Sequence, residues 1–188
     1  MFELTGPIQT DRLVLRSFVP DDLDDLFAIQ SRPEVTRYLY WDVRTRDEVR
    51  TVLEQRLSMN VLKDEGDILA LAVVRKDTGR LVGDVNLRWL SAEHRQAEFG
   101  FVFNPSEHGQ GFATEAAVAV LDLAFGPVGM HRVIGRMDSR NAASAAVMRK
   151  LGLRLEAHFV ENEAFKGEWG DELVFAILAK EWADRRTP

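Results

Sequence analysis

Apolar residues along this chain change period several times, from two to about 3.6 and back, and each change marks a new element. Residues 12–16, Arg-Leu-Val-Leu-Arg, alternate and predict a strand. Pro20, followed by Asp21 and Asp22, opens a helix that runs through Leu23, Leu26, Phe27 and Gln30 and that Pro33 ends. Thr45 and Glu48 have the spacing of a capping box, in which the threonine hydroxyl accepts from the backbone three residues on and the glutamate reaches back. The helix behind it continues through Val49, Val52, Leu53 and Leu57 toward Leu62, with Gly66 as its stop.

Residues 69–75 and 80–90 predict a hairpin turned by Asp77-Thr78-Gly79, with Gly83 as a bulge position. In the next strand, residues 96–103, Ala97, Phe99, Phe101 and Phe103 share one face while Glu98, Gly100 and Val102 share the other. Ala117, Val120, Leu121 and Ala124 then recur at helical spacing, ended by Gly126-Pro127, and a strand follows at 131–137. Ser144, Val147, Met148 and Leu151 repeat the helical pattern up to Gly152. Strands at 153–160 and 172–177 and a short helix from Lys180 complete the chain. The order β-α-α-β-β-β-α-β-α-β-β is an α+β arrangement: one mixed, mostly antiparallel sheet of about seven strands flanked by about four helices, whose two crossover helices require parallel neighbours. No repeat and no linker divides it, so residues 1–188 are read as a single domain.

Composition narrows the partners. At 46% hydrophobic and 29% charged, the 188 residues have the make-up of a soluble globular domain with a substantial core. The formal charge of −6 opposes nucleic acid and suits a cationic partner. With no cysteine, disulfides, thiolate metal sites and a cysteine nucleophile are excluded, and a reducing cytosol is acceptable. Residues 1–11 lack the basic and apolar regions of a secretion signal. The most apolar window, 116–125, is too short to cross a bilayer and holds Asp122. These features predict a cytoplasmic protein with no membrane association.

The densest chemistry lies in residues 107–115, Glu-His-Gly-Gln-Gly-Phe-Ala-Thr-Glu, between a strand and a helix. Glycines there let backbone approach a ligand, and the free amides of a first helical turn make an anion site fit for a diphosphate. The alternative is that Gly109 and Gly111 only make a tight turn. No G-x-x-x-x-G-K-[ST] loop exists, and the third glycine of a dinucleotide fingerprint falls on Thr114. His94, His108, His131 and His158 are scattered without metal-ligand spacing, and there is no G-x-S-x-G elbow.

Residues 108–113, with Asn141-Ala142-Ala143-Ser144 and Arg149-Lys150-Leu151-Gly152-Leu153 behind them, resemble the GNAT superfamily of acyl-CoA-dependent N-acetyltransferases, nearest to its ribosomal-protein N-terminal acetyltransferase-like branch. The resemblance runs in order from residues 12–16 to Gly167-Glu168-Trp169-Gly170-Asp171-Glu172. It implies a strongly twisted sheet with a splayed parallel strand pair, acetyl-CoA as donor, and its pyrophosphate on the amides of residues 110–113. It further implies cofactor contacts at Phe101, Val102, Phe103, His108, Gly109, Gln110, Gly111, Phe112, Ala113, Thr114, Asn141 and Ser144. His108 stands where arginine or glutamine is common. Asn141 matches the family's pantetheine-binding asparagine and equally reads as a helix N-cap.

Many members carry a tyrosine as proton donor to the leaving thiolate; here that place is Met148, and the resemblance points to Ser144 on the same stripe as the substitute, with a small residue tolerated at a crowded helix–sheet contact as the alternative. An incoming amine is mostly protonated, so a proton acceptor is needed, and Glu98 is the candidate, with an exposed structural glutamate as the alternative. Backbone N–H groups near residues 101–103 are expected to hold the oxyanion. Tyr38, Tyr40 and Trp41, with Trp169 of the acidic loop 161–171, are the candidate acceptor contacts; each also reads as core cover or solvated loop. The expected function is acetyl transfer to a primary amine, foremost a protein or peptide α-amine, by direct attack in a ternary complex. A small-molecule amine acetyltransferase acting on an aminoglycoside, polyamine or amino acid, and a non-catalytic acyl-CoA-binding module, are the alternatives. No metal is expected, and a homodimer is compatible.

Overall fold

The computed structural model describes residues 1–186. In chain order its elements are β1 (Phe2–Glu3), β2 (Ile8–Gln9), β3 (Leu13–Arg16), a 3-10 turn at Pro20–Asp22, α1 (Leu23–Gln30), α2 (Pro33–Thr36), α3 (Arg46–Arg56), β4 (Val61–Leu62), β5 (Ile68–Arg75), β6 (Leu81–Ser91), β7 (Gln96–Phe103) and a 3-10 turn at Pro105–Glu107. Then follow α4 (Phe112–Phe125), β8 (Arg132–Asp138), α5 (Ala142–Leu151), β9 (Arg154–Phe165), β10 (Glu168–Leu178) and α6 (Ala179–Arg186).

The main sheet has eight strands in the order β2-β3-β5-β6-β7-β8-β10-β9, antiparallel everywhere except between β7 and β8. The α+β class and mixed sheet are as expected; the eighth strand is the short β2, too brief to show a period. Both faces of the sheet are covered, which explains why β5 reads as an unbroken apolar run. Leu69, Leu71 and Val73 enter the core formed with α4 and α5, whereas the intervening Ala70 and Ala72 pack with Leu26, Ile29, Val49 and Leu53 of α1 and α3.

Several expectations are corrected. Pro33 does not merely end a helix but opens α2, its missing N–H being harmless in a first turn. The capping box of α3 forms as predicted, with Thr45 and Glu48 bonded reciprocally, but α3 ends at Arg56. Val61 and Leu62 instead pair antiparallel with Phe2 and Glu3 as a separate two-stranded sheet, a distant pairing that overrides helical spacing. Among the described residues one hydrogen-bonded parallel pair is present rather than two, because β10 inserts between β8 and β9. The presumed loop 161–171 is largely strand: β9 and β10 run to a tight turn at Lys166 and Gly167, and β9 carries a bulge between Phe159 and Glu163. Asp171 holds that bulge, accepting from the Glu161 amide at 2.9 Å and meeting His158 Nε2 at 2.8 Å. The bulge predicted near Gly83 is present, with Val82 unpaired between Leu81 and Gly83.

The feature that positions the site is a split. β7 and β8 are registered only through Gln96↔Arg132, Ala97↔Val133 and Glu98↔Ile134. Beyond Glu98, β7 stays with β6 as far as Phe103, and β8 stays with β10 as far as Asp138. The two halves of the sheet therefore part along the carboxyl ends of their shared strands.

Candidate active site

Asn104 donates its amide to the Val82 carbonyl on β6 at 2.8 Å. Successive N–H groups of a strand point to opposite edges, so those of Phe103 and Phe101 face the split.

Across the split, the predicted glycine loop leads into α4. Gly109 and Gly111 have φ of 77° and 83°, a region that suits glycine, and Gly111 is the N-cap of α4. Among the described residues, no group of the chain accepts from the amides of residues 109–114; the first amide of the helix with a partner is that of Glu115, bonded to the Gly111 carbonyl at 3.0 Å. The loop is held from outside. Arg12 Nη1 donates to the Gln110 carbonyl at 2.9 Å, and its guanidinium lies 4.6 Å from the centroid of the Phe112 ring. Arg75 Nη1 donates to Glu107 Oε2 at 2.9 Å. A row of unpartnered N–H groups on a fixed loop, ahead of a helix dipole, fits a diphosphate.

Two clefts meet at this place. The first, of about 460 Å³, is lined by Phe101, Val102, Phe103, His108, Gly109, Gly111, Phe112, Ala113, Thr114, Asn141 and Ser144, together with Val35, Val147 and Lys150. Of the expected cofactor residues only Gln110 is outside it, its side chain donating to Glu107 at 3.0 Å. The second, of about 480 Å³, is lined by Tyr38, Tyr40, Trp41, Glu98, Gly100, Arg136, Glu163 and Glu172 among others. Tyr38, Leu39, Phe101, Val102, Asn141 and Ser144 border both. Trp169 is not brought to the site: it lines neither of these two clefts, stands on β10 opposite Ala164 of β9 and is 66% exposed. The alternation that turns Gly170 inward turns it out.

Asn141 is the N-cap of α5, its Oδ1 accepting from the Ser144 amide at 3.1 Å. That bond uses the serine's backbone and leaves its hydroxyl at the junction of the clefts. Met148 is buried against Gly135, where an added Cβ would collide with the methionine Cε. Glu98 is half-buried rather than exposed. Burial pushes its carboxyl above the ordinary value, Arg136 and Arg88 oppose this in part, and Glu172 adds to it. Arg136 is itself held by Glu172, Nε to Oε1 at 2.7 Å and Nη2 to Oε2 at 2.9 Å, and Asn162 donates to the same carboxylate at 3.1 Å.

Sequence reasoning missed the floor of the second cleft. Asp84, Asn86 and Arg88 alternate along β6 and face the Val102, Gly100 and Glu98 side of β7. Arg56 of α3 meets the buried Asp84 at 2.9 Å. Three polar residues at period two in an otherwise apolar strand were the available signal.

A row of unpartnered amides beside a parallel pair that comes apart, with a polar cleft entering from the other side, is the arrangement that the resemblance to acyl-CoA-dependent N-acetyltransferases implies. Sequence comparison agrees, for residues 12–154 match the acetyltransferase (GNAT) domain family, and the chain belongs to it. It is 31% identical over 175 residues to the uncharacterized N-acetyltransferase YnaD of Bacillus subtilis (strain 168), covering 93% of this chain and 98% of that one. The crystal structure of a GNAT-family acetyltransferase from Bacillus anthracis superposes with a TM-score of 0.84 at 30% identity, covering 94% of this chain and all of the other. A Vibrio cholerae spermidine N-acetyltransferase, solved with CoA and spermine, has a TM-score of 0.78 at 22% identity, covering 93% of this chain and 99% of that one, and shares the fold. The donor of this enzyme is acetyl-CoA. No helix among the described residues is long and apolar enough to cross a membrane.

Proposed function

We propose that residues 1–188 act as one cytoplasmic catalytic unit that moves acetyl from acetyl-CoA to a primary amine carried at a chain end, foremost the α-amine of a protein or peptide. The observation that carries this reading is the junction of the two clefts at Phe101 and Ser144, with Glu98 on the acceptor side. The amides of residues 109–114 and the α4 dipole would hold the diphosphate, and the coenzyme supplies an activated thioester. Glu98 takes a proton from the incoming ammonium, and burial, by raising its pKa, makes it a stronger proton acceptor than an ordinary carboxylate. As the amine nitrogen bonds to the acetyl carbon, the Phe101 and Phe103 amides stabilise the charge on the carbonyl oxygen. The carbon–sulfur bond then breaks, the Ser144 hydroxyl passes its proton to the departing sulfur, and it regains one from the nitrogen, which sheds its remaining excess proton as the amide forms. No acyl-enzyme is required.

A small cationic amine is the second reading. Once Arg56 is set against Asp84, Arg136 against Glu172, Asp138 against Arg140 and Asp171 against His158, the carboxylates of Glu98 and Glu163 outnumber the remaining lining cation, Arg88, which favours positive charge. The spermidine-acetylating relative adds weight to it. β9 forms a sheet edge with Leu155, Phe159 and Val160 exposed, which supports a homodimer. Mass spectrometry of peptides, protein N-termini and small amines after incubation with labelled acetyl-CoA tests the function. Label on an α-amine supports the first reading and label on a polyamine the second. Coenzyme binding without thiol release for every amine would leave only a non-catalytic acyl-CoA-binding module.

A further inference from the structure

The two walls of the acceptor cleft are tied to each other. One wall is the segment 36–42 between α2 and α3; the other is the tip of the β9–β10 hairpin. Lys166 Nζ donates to the Thr36 carbonyl at 2.8 Å and the Trp41 carbonyl at 3.2 Å, and lies 3.1 Å from Asp42 Oδ1. The Tyr40 ring stands edge-on to Phe165, with centroids 5.6 Å apart, and its hydroxyl donates to the Glu163 carboxylate. Neither anchor is loose. Lys166 and Gly167 have φ of 51° and 84°, both positive as in the two-residue turn whose twist matches a hairpin, and Thr36 is only 3% exposed. Opening the walls means losing the lysine's contacts and the ring pair together.

We propose that this strap sets specificity: it fixes the width of the cleft so that an amine on an unbranched, extended arm reaches the split strands and an amine mounted on a bulky ring does not. An arm beneath the strap would meet the Tyr40 and Phe165 rings along its length and the Glu98 and Glu163 carboxylates at its ammonium. Lys166 is a specificity determinant that acts by holding the walls, not a catalytic residue. The proposal rests on the reading of this cleft as the acceptor site.

The test measures thiol release from acetyl-CoA by the full chain with three probes: a hexapeptide with a free α-amine, 1,4-diaminobutane, and kanamycin as the ring-borne amine. For the wild type, kcat/KM for the better unbranched probe should exceed that for kanamycin by about tenfold or more. Lys166→Ala should shrink this ratio by about tenfold, chiefly through a lower KM for kanamycin, with the KM for acetyl-CoA unchanged. Lys166→Arg, which keeps charge and donors, should retain the wild-type ratio. Thiol release with a wild-type ratio near or below one, or with a ratio that Lys166→Ala leaves unaltered, overturns the strap alone. No thiol release with any probe, while calorimetry shows acetyl-CoA bound, overturns the acceptor reading and the strap with it.

Discussion

Arg12 Nε donates to Glu115 Oε2 at 2.7 Å, joining the entry to β3 to the first turn of α4. Glu115 also accepts from the Thr10 hydroxyl at 2.6 Å and the Arg12 amide at 2.8 Å, while Arg12 reaches on to the Gln110 carbonyl. The loop with the unpartnered amides is thus fastened by residues about a hundred positions away. Arg12→Ala should raise the KM for acetyl-CoA about tenfold with little change in kcat, and cost about 1–2 kcal/mol of stability. Steady-state kinetics with varied donor and urea unfolding check both.

The same carboxylate gives a pH prediction. Burial raises the Glu115 pKa, but the bonds from Thr10 and Arg12 outweigh it and leave the group below its ordinary value. Its contribution to stability is therefore complete above the usual carboxylate range and is lost as pH falls through the lowered pKa. Thermal melts between neutral and acid pH should show Glu115→Gln less stable at neutrality, with the gap to the wild type closing in acid.

In the proposed role of proton acceptor Glu98 has to be ionised, and burial has moved its pKa upward. The kcat/KM of the wild type should accordingly rise with pH through that raised pKa. Glu98→Gln should lose this limb and fall by about 10²–10⁴ in kcat. A variant with wild-type rate and an unaltered profile would remove Glu98 from the mechanism.

Ser144→Ala deletes a hydroxyl but not the amide that Asn141 caps. Helix α5 should stay intact by circular dichroism while kcat falls about 10–100-fold, the worth of one hydrogen bond to developing charge. An effect confined to the KM of the donor would instead make the hydroxyl a binding contact.

Gly83 leaves no room for a side chain, since an added Cβ would lie 2.6 Å from the Val102 carbonyl oxygen and 2.7 Å from the Phe103 ring. Because one of these neighbours is backbone, Gly83→Ala should destabilise the fold by about 1–3 kcal/mol. It should also weaken acetyl-CoA binding by displacing the edge of the split; calorimetry and denaturant titration read the two effects.

Much of this architecture was legible because it is written in local patterns. The capping box at Thr45, the left-handed glycines at 109 and 111, and the alternation of Phe99 with Glu98 each follow from the chemistry of a few adjacent residues. Long-range pairing was not legible. Val61 and Leu62 look helical until Phe2 and Glu3 arrive beside them. The acidic stretch from Glu161 looks like a loop because β9 is an edge strand whose exposed faces carry no apolar period, and its bulge is held by Asp171, ten residues on.

For the candidate site, the sequence by itself determined the glycine turn into α4, the helix stripe bearing Ser144 and the strand face bearing Glu98, since turn chemistry and side-chain period are properties of the local backbone. Only the tertiary structure decided that Trp169 points away, that Asp84 and Arg56 floor the second cleft, and that Lys166 ties its two walls. Those contacts depend on where β7 and β8 part and how far β9 and β10 extend. Both are settled by packing between segments far apart in the chain, which no local period records.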